Sequence, residues 1–256
     1  MTETATLTTS TCTCDGTGWK IVGARVEPCE CRKDRKACEM MKLAAIPERY
    51  RDKEFSDYRI DGSNLDLSAG LLMATRFAET YPVLGHDVPG GLLLIGNCGT
   101  GKTHLAACIL KAVIRKGISG RFQDYAWLLK EIQASYASDG ESHKNEAAIL
   151  SEMTDVDVLV LDDLGSVNPS AWVMDTITRL LNARYSAGKA TIITTNFPDR
   201  NAGQTRFTFA EGMSLADRVG ERVVSRLREM CRFVPMNGPD FRRGIHQMHT
   251  VKGGAA

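Results

Sequence analysis

The octapeptide Gly96, Asn97, Cys98, Gly99, Thr100, Gly101, Lys102, Thr103 fits the pattern GxxxxGK[ST], directly after an apolar strand-like run and at the opening of a helix-like one. Glycines at 96, 99 and 101 let backbone N–H groups turn inward around phosphate oxygens, and a helix beginning near Lys102 adds the positive end of its dipole. In such a loop Lys102 bridges the β and γ phosphates of a nucleoside triphosphate, and the Thr103 hydroxyl ligates Mg²⁺. His104 completes the stretch expected to touch nucleotide. A triphosphate site of this kind also needs carboxylates at the tip of a neighbouring strand. VDVLVLDD supplies them: Asp162 to hold Mg²⁺ through water, Asp163 to orient or deprotonate the attacking water. Reading Asp163 as a helix N-cap fits poorly, because LGSVNP separates it from the next helix-like run. TIITTNFP puts Asn196 at the carboxyl end of a further strand, where ligands sit in open α/β sheets; a local Asx turn is the plainer alternative.

The elements that must position these groups alternate short apolar runs with longer amphipathic ones, the signature of a parallel sheet covered by helices. GLLLIG, GRFQDY, VDVLVLDD, ATIITTN and CRFVPM read as strands, the third apolar at nearly every position as a central strand should be. KTHLAACILKAVIRKG and SAWVMDTITRLLNARYSAGK read as helices ending at Gly117 and Gly188. LADRVGERVVSRLREM reads as one more, with Leu215, Val219, Val223 and Leu227 as its apolar stripe and Arg218, Arg222 and Arg226 beside it. The predicted fold class is α/β, a P-loop NTPase sheet flanked by helices, preceded by a small N-terminal zinc-binding module.

Composition sets the limits. The 256 residues are 43% hydrophobic and 25% charged, enough for a full-sized core, and 32 basic side chains nearly balance 31 acidic ones, so any nucleic-acid contact must be local. No apolar run approaches the length needed to cross a bilayer, and the Thr-rich start lacks a secretion signal, so no membrane partner and a cytoplasmic location are expected. Five of the eight cysteines fall in the first forty residues. Cys12 with Cys14 and Cys29 with Cys31 form two CxC pairs whose four thiolates suit a closed tetrahedral Zn²⁺ site; Cys38 could replace one ligand. Free thiols in a disordered arm, or a redox pair, are the alternatives.

The order of phosphate loop, DD strand, Asn strand and ERVVSRL resembles the AAA+ helicase loaders of the DnaC and DnaI type and the related IstB transposition ATPases, over roughly residues 46 to 245, with IPERYRDKEFSDY similar to the linker before their ATPase core. The resemblance implies ATP hydrolysis at subunit interfaces of an AAA+ oligomer, with Arg226 as the arginine finger acting on a neighbouring subunit's γ phosphate, Arg222 as a helper, and Arg242 as the sensor arginine reaching nucleotide in its own subunit. The bland alternative for the three spaced arginines is a solvated helix face. It implies single-stranded DNA contact on DYAWLLKEIQASY, through Lys130 and Tyr136; Tyr136 as an extension of the Leu129 and Ile132 core stripe is the alternative. It also implies a DnaB-type replicative helicase as partner, with the zinc module as its docking piece and Trp19 as an anchor. The acidic pair is DD where many AAA+ proteins have DE, and the segment 201–214 is longer than the pattern requires. The expected division is a disordered start (1–11), the cysteine module (12–38), a linker and lead-in helix (39–89), the ATPase domain (90–245) and a tail (246–256). The expected function is ATP-dependent loading of a helicase onto single-stranded DNA; an IstB-like helper of a DNA transposase and a nucleotide-stabilised adaptor are the other readings.

Overall fold

The computed structural model describes residues 14, 17–23, 25–29, 31–60, 64–83, 90–136, 144–199 and 212–242. Cys12, the Thr-rich start, the turn-prone HDVPGG up to Pro89, the segment 200–211 and the tail beyond Arg242 lie outside them.

A hairpin opens the described chain: β1 (Trp19–Val22) pairs antiparallel with β2 (Arg25–Pro28). It leads into α1 (Cys31–Leu43), which crosses the expected boundary at residue 38 and has no fully buried side chain, although Met40 and Met41 lean on the main core. A strap follows, made of α2 (Glu48–Arg51) and a 3-10 turn (Phe55–Asp57). Then comes α3 (Leu65–Thr80), which starts six residues before its apolar-patterned run LLMATRFAETY, because the Asn64 side chain accepts from Leu67 N and caps it.

From Gly91 the predicted alternation is present. The elements are β3 (Gly91–Ile95), α4 (Lys102–Arg115), β4 (Gly120–Asp124), α5 (Tyr125–Tyr136), α6 (Glu146–Asp155), β5 (Val158–Asp162), α7 (Ala171–Ser186), β6 (Ala190–Thr195), α8 (Leu215–Val219), α9 (Glu221–Met230) and β7 (Cys231–Pro235). The five later strands form one sheet in the order β4-β5-β6-β3-β7, with every pair parallel. Successive strand residues point to opposite faces, and the sheet is covered on both. Leu92, Leu94, Val160 and Ile192 meet α3 and α4 on one side, whereas Leu93, Leu159, Leu161 and Ile193 meet α5 to α9 on the other. Burying each such side chain contributes roughly 1.5–3 kcal/mol, so the strands are anchored in apolar packing on both faces of the sheet.

Two expectations change. The acidic strand does not neighbour the loop-bearing strand: β6 lies between β5 and β3 and supplies the bridging hydroxyl described below. The arginine helix is also broken, since Gly220 takes φ +88, ψ 148, outside the range of L side chains, and splits it into α8 and α9. All four stripe residues are still buried on either side of the break. Arg218 therefore leaves the row: its guanidinium lies 4.6 Å from the Phe197 ring and donates to Gly165 O and Asn168 Oδ1.

Candidate nucleotide site and cysteine cluster

The carboxyl ends of β3, β6 and β5 lie side by side, and each delivers part of one constellation. Lys102, on the first turn of α4, is only 6% exposed, and its Nζ donates to Gly96 O (2.8 Å) and Asn97 O (2.6 Å). Burial pushes its ammonium down to about 8, against the pull of the nearby acidic groups. Thr103 Oγ1 donates to Asp162 Oδ1 at 2.9 Å, and Thr194 Oγ1 from β6 donates to the same oxygen at 2.6 Å. Thr194 in turn accepts from Asp163 N, and Asn196 Nδ2 donates to Asp163 Oδ1 at 2.7 Å.

Asp163 adopts φ +58, a left-handed conformation uncommon for a non-glycine residue, so the chain turns sharply just past the strand and sets this carboxylate at the mouth of the site. Burial raises the carboxyl of Asp162, and burial together with the Asp124 carboxylate raises that of Asp163. A carboxylate held above its usual range is a better proton acceptor.

Lys102, Thr103, Asp162, Asp163 and Asn196 line one cavity of about 430 Å³ together with Cys98, Gly99, Gly101, His104 and Arg242. Three expected nucleotide residues stand behind that wall instead. The carbonyls of Gly96 and Asn97 hold Lys102, and the Thr100 carbonyl accepts from Tyr58 Oη at 2.7 Å. Gly99 has no room for a side chain, because the Asp240 carboxylate occupies the place a Cβ would take.

Four further residues line the cavity that motif reading did not name: Arg49, Tyr50, Asp124 and Phe241. Arg49 and Tyr50 arrive on the strap, which is fastened along one face of α4. His104 Nε2 meets Glu54 O, Cys108 Sγ donates to Lys53 O, Lys111 Nζ donates to Arg51 O and Lys53 O, and Arg115 pairs with Glu54. No local pattern announces such residues, since the strap is charged and nearly aperiodic. Asp124 had a local signal, an acid closing a strand; it also accepts from Trp127 N and so caps α5.

Arg226 does not line this cavity; its guanidinium sits 5.5 Å from the Tyr185 ring on the α7–α9 surface, and Arg222 is exposed nearby in sequence. On α5, Lys130 is exposed, as is Trp127 (65%) three residues earlier on the same side. Tyr136, 56% exposed, is not part of the core stripe: its hydroxyl bonds Glu146 and its ring meets Trp172 edge-on. Tyr136 is thus engaged by α6 and α7, while Lys130 stands exposed beside Trp127.

At the other end of the chain the hairpin closes the cysteines together. Cys14 and Cys29 are buried, Cys31 half-buried, and their sulfurs all lie within 4.8 Å of one another, with Cys14 Sγ and Cys31 Sγ 3.3 Å apart. Cys38 is exposed on α1 and outside this group.

The profile of the family described as IstB-like ATP binding protein matches residues 24–248. The chain belongs to that family. Its ATP-binding fold is therefore shared with proteins of known name. It is 26% identical to the replicative helicase loader DnaC of Buchnera aphidicola subsp. Schizaphis graminum over 82% of this chain and 78% of the relative. It is 24% identical to YqaM, an uncharacterised protein of Bacillus subtilis, over 80% of this chain but only 60% of that protein. The crystal structure of a DnaC helicase loader superposes with a TM-score of 0.59 at 30% identity, covering 74% of this chain and 99% of the loader chain. No described helix is long and apolar enough to cross a membrane.

Proposed function

We propose that this chain is an ATP-hydrolysing loader that places a replicative helicase on single-stranded DNA, with its active sites completed between copies. The observation that carries the reading is how the site is divided. Lys102, Thr103, Asp162, Asp163, Asn196 and Arg242 line one cavity, whereas Arg226 lies on another surface.

The hydroxyl of Thr103 and the carboxylate of Asp162 are hard oxygen donors that suit Mg²⁺, which supplies charge neutralisation on the β and γ oxygens when bound. Lys102 neutralises the same phosphates. Asp163, raised by burial and steadied by the Asn196 amide, accepts the proton of the attacking water while Asn196 fixes its direction. Arg242 reaches the phosphates from the same chain. Arg226 of a neighbouring copy stabilises the charge that develops on the transferred phosphoryl group. Lys130, joined by Trp127 rather than by Tyr136, grips the strand, and the N-terminal module docks on the helicase in the cytoplasm. Three thiols already gathered, with Cys12 two residues away in sequence, suit Zn²⁺.

Complementation tests the division. Lys102→Ala cannot bind ATP but offers a finger; Arg226→Ala binds ATP with wild-type affinity and loses about 10³-fold in turnover. A mixture of the two regains hydrolysis at shared interfaces. If the mixture stays inactive while both variants assemble, the finger does not act in trans. The loader assignment is tested separately, by retention of purified replicative helicase on the immobilised full chain with ATP and single-stranded DNA. Retention of a transposase on duplex DNA instead would favour the transposition helper.

A further inference from the structure

The hairpin carries an apolar face that no apolar side chain among the described residues covers. Its register sets Trp19 opposite Pro28 and Ile21 opposite Val26, so these four side chains share one side. All four are exposed, Trp19 at 47% and Ile21 at 79%. The first turn of α1 brings the Arg32 guanidinium to 4.7 Å from the centroid of the Trp19 ring, and Lys36, one helical turn further along the same side, is exposed.

An apolar face of this size does not by itself name its occupant, but the charge around it does. From Thr17 to Leu43 the sequence has seven Lys and Arg against four Asp and Glu, an excess of three, while the whole chain has an excess of one. Lys20, Arg25 and Glu27 lie on the opposite side of the hairpin from Trp19, which leaves five Lys and Arg against three Asp and Glu from Glu30 to Leu43, still a basic excess. A flat ring edged by fixed cations matches a polyanion with unpaired bases, each of which has a face to stack, and matches a duplex poorly because its bases are already stacked. The geometry points to the Trp19 face as a second contact for single-stranded nucleic acid, with bases stacking beside the Trp19–Arg32 pair and backbone phosphates meeting Arg32 and Lys36. It lies on the N-terminal module rather than on α5, and it does not rest on the loader reading: it holds equally if the partner protein is a transposase.

The probe is a fluorescein-labelled dT oligonucleotide titrated with the full chain, with oligo-rU and a duplex as parallel arms. Lys130→Ala is the common background, so that α5 contributes least. Trp19→Ala is expected to weaken dT binding by about tenfold, the scale of one base–aromatic stack. Arg32→Gln with Lys36→Gln, which removes no packed apolar group, is expected to lower the slope of log affinity against log salt by about 0.7 for each phosphate left without its cation. Equal dT and rU affinities mark the contact as sugar-blind; preference for either names the strand. Unchanged affinity and slope in both variants overturn the inference, as does equal or stronger binding of duplex. So does loss of helicase retention in Trp19→Ala with dT binding intact, which would assign the face to protein. Circular dichroism and metal content matching the unsubstituted background show that Trp19→Ala is folded; should it not be, the double Gln variant decides alone.

Discussion

The phosphate loop and the cysteine cluster fix their functional atoms by opposite means. The loop is held from every side by ordinary packing: β3 is buried along its whole length, Tyr58 holds the Thr100 carbonyl, Met236 N donates to Ile95 O, and Thr194 and Thr103 share one oxygen of Asp162. The cysteine cluster hangs on a hairpin of two four-residue strands with every described strand side chain at least partly exposed, and on a helix with none fully buried. Little apolar packing holds it in place. Where a core exists, catalytic geometry follows from it; where none exists, a ligand has to supply the folding energy.

The largest expected effect tests the packed end. Lys102→Ala removes the one ammonium buried in the cavity and should abolish binding of a fluorescent ATP analogue, with the thermal midpoint within a few degrees of wild type. Retained affinity would mean that the cavity does not take a triphosphate by this loop. Next comes the module. The purified chain should hold about one zinc, and Cys29→Ser with Cys31→Ser should lose it with no change in the calorimetric transition of the five-stranded body. A body that melts earlier in that variant would show that the two regions fold as one and would end the contrast.

A smaller effect follows from the buried lysine. Its pKa is pushed down to about 8, so the free protein loses that positive charge as pH rises through this value, and nucleotide binding above it must take up a proton. Affinity should therefore fall roughly tenfold between pH 7 and pH 9, while a flat profile would place the lysine's charge outside the binding event. The smallest is Tyr58→Phe, which keeps the ring and deletes only the bond to Thr100 O. A net hydrogen bond of about 1 kcal/mol predicts roughly a fivefold loss of ATP affinity or an equivalent loss of stability.

The same contrast explains what could be read in the chain beforehand. All five sheet strands and the two long helices were legible, because apolar runs of the right period leave few alternatives, and so were the loop, the acidic pair and Asn196, whose chemistry is local in sequence. The break at Gly220 was hidden because 215, 219, 223 and 227 keep helical spacing across it and are all buried. Arg49, Tyr50 and Tyr58 were hidden because a strap takes its course from what it is fastened to, here α4, rather than from any period of its own. The place of β6 between the loop and the acidic strand is a matter of strand order, which no single strand encodes. Lys130 and Tyr136 look like a pair in one helix, but Tyr136 meets Trp172 and Glu146, which belong to other helices.

The chain beyond β7 bears on how this protein can be trimmed. Asn237 donates to Asp66 and accepts from Asn64, tying the segment to the start of α3; Asp240 fills the space beside Gly99; Phe241 N donates to Gly99 O; and Arg242 reaches the cavity. A shortened chain ending at Met236 would keep all five strands of the sheet and the buried Met236 side chain yet lose one wall of its own nucleotide pocket. The length of chain that completes the sheet is therefore shorter than the length that completes the pocket.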